Sequence, residues 1–82
     1  MSQHDDAPRK LKINGVYRHY KGGSYTVINV ATHSETGEKL VIYRGLYGGA
    51  PLYARPYDMF LDEVNKNGQR YRFELVETES LR

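Results

Sequence analysis

His33, Ser34 and Glu35 stand side by side and carry the residue types of a hydrolytic triad. Their adjacency argues against that chemistry. Successive side chains of an extended segment point to opposite faces, so neighbours do not converge on one reacting atom. No glycine elbow surrounds Ser34, and Ser34 reads as a turn former whose hydroxyl starts a type I turn. The three histidines, His4, His19 and His33, could hold a metal with Asp5 or Asp58. Their spacing fits no ligand pattern, so no metal or other cofactor is implied. Gly22-Gly23 and Gly48-Gly49 are too short for phosphate-cradling loops and are followed by no helix signal. With no nucleophile–base pair in sight, the residues argue for a non-enzymatic protein.

The chemistry that remains is that of cations and phenols. Eight tyrosines and no tryptophan occur in 82 residues. So many rings exceed what a small core holds, and the surplus must face outward. Residues 12–57 hold six Lys or Arg against two Glu, a local charge of +4, whereas residues 58–82 come to −2. Exposed tyrosines beside Arg18, Lys21, Arg44 and Arg55 suit base stacking and phosphate contact. Tyr47 is the stacking residue of choice, because it borders a glycine turn. The same surface suits a protein partner, in the manner of an SH3 or Tudor module, or a twofold homodimer. For Arg55 a second role is open, an ion pair with Asp58 across Pro56.

The elements that must position these residues are short strands. Glu38 to Tyr47 is the longest proline-free run with strand chemistry and reads as a central strand covered on both faces. Tyr25–His33 and Leu52–Arg55 supply neighbours on either side. Gly15 to Tyr20 forms a first strand with Tyr17 and His19 on one face. Gly22-Gly23, Ser34–Gly37 and Asn67-Gly68 mark hairpins. Val27 and Val30 both face the core only if the second strand bulges near Ile28–Asn29. Pro56 opens a single helical turn through Phe60 and drops Met59 and Phe60 inward. Leu61–Val64 and Tyr71–Val76 complete the set, the latter with Tyr71, Phe73 and Leu75 on one side. The expected core is Val27, Val30, Val41, Leu46 and Phe60. The whole reads as an all-β, SH3-like or Sm-like barrel of about five short antiparallel strands over residues 12–76, with one helical turn near Pro56–Phe60. Residues 1–11 read as a disordered arm and 77–82 as a frayed tail.

No stretch approaches the ~20 apolar residues of a membrane helix, and no apolar leader opens the chain. Cysteine is absent, which fits a reducing compartment. A soluble, cytoplasmic protein is expected.

Four segments in unbroken order carry a family resemblance: GVYRHYKG at 15–22, VATHSETGE at 30–38, LVIYRGLYG at 40–48 and ARPYDMF at 54–60. Together they resemble the bacterial family DUF1653, a domain of unknown function, over roughly residues 13–75. The resemblance implies a small SH3-like or Sm-like β-barrel and no established activity. The chain departs from the pattern at Gly48-Gly49-Ala50-Pro51. Within the LVIYRGLYG segment, Ile42-Tyr43-Arg44-Gly45 resembles the Ile-Arg-Gly element of Sm-type barrels, whose arginine meets RNA. That likeness implies RNA contact at Arg44.

Overall fold

The computed structural model describes residues 9–76. Strand predominates. In chain order the elements are β1 (Val16–His19), β2 (Ser24–Thr32), β3 (Lys39–Gly45), β4 (Leu52–Pro56), the short helix α1 (Tyr57–Phe60), β5 (Glu63–Lys66), β6 (Gln69–Tyr71) and β7 (Phe73–Leu75). Five strands form one antiparallel sheet in the order β4-β3-β2-β1-β7, and β5 and β6 form a separate hairpin. The expected count of about five strands thus falls short of seven. β4 and β7 are the two edges of the large sheet, so it does not close into a barrel.

The turns follow local backbone chemistry. Gly22 and Gly23 have φ of 104° and 88°, and Gly37 has 79°. These are left-handed conformations that a side chain disfavours. Asn67 and Gly68, both at positive φ, make the two-residue loop between Lys66 and Gln69, as an Asn-Gly pair does in a type I′ hairpin. The turn after β2 is closed differently from the expectation. The His33 imidazole, not the Ser34 hydroxyl, organises it: Nδ1 accepts from the backbone N–H of Glu35 at 3.1 Å and of Thr36 at 3.3 Å. The register of β2 against β3 shifts between Val27 and Asn29, which is the anticipated bulge. Val27 lies opposite Tyr43 and Val30 opposite Val41, so both valines take the core side; Val27 is fully buried and Val30 half-buried.

β3 is covered on one face rather than two. Val41, Tyr43 and Gly45 are buried, while Leu40 and Ile42 are partly exposed and Arg44 is exposed. Leu46 is one step past Gly45 and therefore turns outward, 53% exposed, instead of joining the core. Met59 is likewise exposed. A helix of four residues offers one side to the sheet, and Phe60 takes it.

The core is aromatic: Tyr17, Tyr43, Phe60 and Phe73 with Val27 and Val41. Phe60 stacks on Phe73 with centroids 4.0 Å apart and planes at 7°, and Tyr17 and Tyr43 meet Phe60 edge-on at 5.3 and 5.2 Å. Each buried phenol is paired, as burial requires. Tyr17 Oη accepts from the Lys12 N–H at 3.0 Å, and Tyr43 Oη accepts from Arg55 Nε at 3.1 Å.

The segment expected as one last strand, Tyr71–Val76, is split at Arg72. Arg72 gives Nε and Nη2 to Asp62 at 2.9 and 3.2 Å, and its backbone N–H to the Asp62 carbonyl at 2.9 Å. Phe73 and Leu75 then pair with β1, opposite His19 and Tyr17. The strand expected at Leu61–Val64 starts two residues later. Of the expected arm, residues 1–8 lie outside the described residues, as do residues 77–82 of the expected tail. Arg9 and Leu11 pack on the domain: Leu11 lies against the core, and Arg9 donates to the carbonyls of Leu61 at 3.0 Å and Phe73 at 2.8 Å.

Candidate functional site

Register decides which of the expected binding residues share a surface. Arg18 lies opposite Ser24, and Arg44 lies opposite Thr26. Ser24 and Thr26 are two residues apart on β2, so their side chains, and those of Arg18 and Arg44, leave the same outer face of the sheet. Both arginines are exposed. Arg44 has no ion pair among the described residues, which removes the buried structural pairing that would have denied it to a ligand. Glu74 is the cross-strand neighbour of Arg18, but its carboxylate accepts the backbone N–H groups of Arg70 and Tyr71.

Tyr47 lies in the loop after β3 and is 65% exposed. Its ring covers Gly45: a Cβ there would come within 2.7 Å of Tyr47 Cε1. Arg44 and Tyr47 line one depression of about 380 Å³ with Thr26, Leu46 and Ala50. A guanidinium and a phenol ring on one hollow can meet a phosphate and an adjacent base.

Arg55 does not join them. It lies opposite Val41, whose side chain is fully buried, so Arg55 belongs to the core face. It is partly buried, bonded through Nε to Tyr43 Oη, with Cζ 5.5 Å from the Phe73 centroid. The ion pair expected with Asp58 is replaced by this phenol contact. Lys21 occupies the β1–β2 turn, with Nζ 5.7 Å from the Tyr20 ring. Its backbone N–H donates to His19 Nδ1 at 3.1 Å. The five expected residues therefore divide: Arg18, Arg44 and Tyr47 toward the outer face and the β3–β4 loop, Lys21 and Arg55 toward the end of the core face.

Of the residues around Arg55, the sequence presents His19 as a candidate metal ligand and not as part of a binding surface. The His19 ring packs on Phe73 at 4.8 Å, on Tyr20 at 4.7 Å and on Tyr25 at 6.4 Å. Burial, then the charges of Arg55, Arg72 and Lys21, hold its pKa below the ordinary value. Its alternation with Tyr17 was the available signal. Arg72 offered none, because its Asp62 contact is tertiary. Near α1 a depression of about 550 Å³ is lined by Val30, Pro56 and Tyr57 with Glu38, Lys39 and Asp58. Its mixed charge selects no ligand class. Among the described residues no cluster of His, Asp and Glu could hold a metal, and no helix is long and apolar enough to cross a membrane.

The fold and these surfaces define a small, mostly β domain with an open five-stranded sheet. A family model described as a protein of unknown function, DUF1653, matches residues 15–75, and the chain belongs to that family. The crystal structure of a DUF1653 protein from Bordetella bronchiseptica is similar, at 36% identity and a TM-score of 0.67, covering 77% of this chain and 85% of that one. No curated protein matches.

Proposed function

We propose that this domain is a non-enzymatic module that binds single-stranded nucleic acid, RNA foremost, through Arg44, Tyr47 and Arg18. The observation that carries the reading is the shared hollow of Arg44 and Tyr47, one an exposed cation without an ion pair among the described residues, the other an exposed ring. We take further support from the chain order, in which four consecutive antiparallel strands, a helical turn, a hairpin and a last strand returned to β1 would suit an opened relative of SH3-like or Sm-like barrels. Lys21 and Arg55 have no part in this surface.

The test is a titration with a short single-stranded RNA over a range of salt. Two arginines on phosphates give a log–log slope of about −1.4. Arg44→Gln should shorten that slope by about 0.7, and Tyr47→Ala should cost about 1–3 kcal/mol with the slope unchanged. RNA affinity that neither substitution alters would refute the assignment.

A second reading, self-association, is favoured by a different observation. β4 is a sheet edge, and its Leu52 and Tyr53 are 61% and 43% exposed. Pairing of two β4 edges about a twofold axis would satisfy their free backbone groups. Light scattering at two concentrations distinguishes a dimer from the 9.5 kDa monomer.

A further inference from the structure

Arg55 donates Nε to Tyr43 Oη at 3.1 Å, its Cζ lies 5.5 Å from the Phe73 centroid, and among the described residues Nε is its one bonded nitrogen. Its two terminal nitrogens have no acceptor among the described residues, and no carboxylate pairs with it. A partly buried cation without a counter-charge is costly, and an arriving anion relieves that cost.

The surroundings are cationic. His19 packs on the same Phe73 ring that Arg55 overlies. Because His19 Nδ1 accepts the Lys21 N–H, the neutral ring carries its proton on Nε2, and that donor has no partner among the described residues. The Lys21 ammonium and the Arg72 guanidinium both act on His19 electrostatically. The one carboxylate bonded within this group, Asp62, is occupied by Arg72.

We propose that Arg55, with His19 and Lys21, forms a binding site for a phosphate-type oxyanion at the end of the core face, separate from Arg44 and Tyr47. The planar fork offers two parallel N–H donors, the arrangement that grips phosphate bidentately. Lys21 adds a charge from the exposed turn, and His19 a neutral donor. Two sources share this chemistry: free phosphate, and the terminal phosphate of a nucleotide chain.

The experiment is an NMR titration of the full chain with inorganic phosphate at constant ionic strength, following the His19 ring and Arg55 Nε–H signals. Saturable shifts are expected, with about tenfold weaker binding in Arg55→Lys, where the charge stays and the fork is lost. Arg44→Gln should bind phosphate as the native chain does, which keeps this outcome apart from that of the RNA titration. Lys21→Gln, in an exposed turn, keeps the test decisive if Arg55→Lys does not fold; a weakening of about threefold is expected, as for one exposed charge. A 5′-phosphorylated trinucleotide that moves the same signals at lower concentration than phosphate, while its unphosphorylated form does not, assigns the chain terminus as source; equal affinity assigns free phosphate. Shifts that never saturate, or affinity untouched by the substitutions, overturn the site.

Discussion

A Cβ built on Gly45 would stand 2.7 and 3.0 Å from two carbons of the Tyr47 ring. The ring is mostly exposed and can swing away, so Gly45→Ala should cost about 1 kcal/mol or less while displacing Tyr47 from its hollow. The two effects separate in a double-mutant cycle: Gly45→Ala should be nearly neutral to RNA affinity once Tyr47 is already alanine, and harmful when it is not. Denaturant midpoints and RNA titrations of the four proteins read both. His19 sets a pH dependence. Burial and the nearby Arg55, Arg72 and Lys21 charges disfavour its imidazolium, so its folded pKa lies below the ordinary 6.5. As pH falls through that value the unfolded chain takes up the proton first, and stability declines until the folded pKa is reached. Above about 6.5 both states are neutral at His19 and the residue adds no slope. His19→Gln should flatten the stability profile just below that value, as read by urea midpoints across the range.

At the scale of elements, the break between β6 and β7 depends on Arg72 and Asp62. Their side chains are 24% and 39% exposed, so solvent screens the pair. Asp62→Asn should cost about 1 kcal/mol in a urea melt, with faster amide exchange at Arg72. This kink was not legible in the sequence, where Tyr71–Val76 alternates as one strand does; its cause is a partner from outside the hairpin. Turns were legible because their causes are local. Gly37, Gly22 and Asn67-Gly68 need no partner to demand a left-handed backbone. The β2 bulge was legible too, since the spacing of Val27 and Val30 allows both inward only with an extra residue between. Faces were harder. Arg44 and Arg55 are both arginines on adjacent strands, yet the register of β4 sends them to opposite sides, and no residue type announces that register. Leu46 misled for the same reason: apolarity does not say on which side of Gly45 the alternation continues.

At the scale of the molecule, the domain surrounds one aromatic cluster with an open sheet on one side and α1 on another. It lacks cysteine and so has no disulfide to hold it. The family match and the Bordetella bronchiseptica structure agree with the resemblance carried by the four segments between residues 15 and 60. The small core leaves rings on its margin, where the site proposed around Arg55 lies, whereas the hollow of Arg44 and Tyr47 is on the outer face of the sheet.

The Arg9 contact has a kinetic meaning. Its hydrogen bonds span 52 residues to Leu61 and 64 to Phe73, and its guanidinium lies 3.8 Å over the Tyr71 ring. Such a clasp cannot form until β7 has already docked on β1, because closing so long a loop in an unfolded chain gains nothing until the rest is in place. It belongs to the last step of folding. Arg9→Ala should therefore leave the folding limb of the chevron where it is and raise the unfolding rate, with a φ-value near zero. The clasp acts as a latch on escape from the native state, and its removal should be visible as a shorter native lifetime before it is visible as a slower assembly.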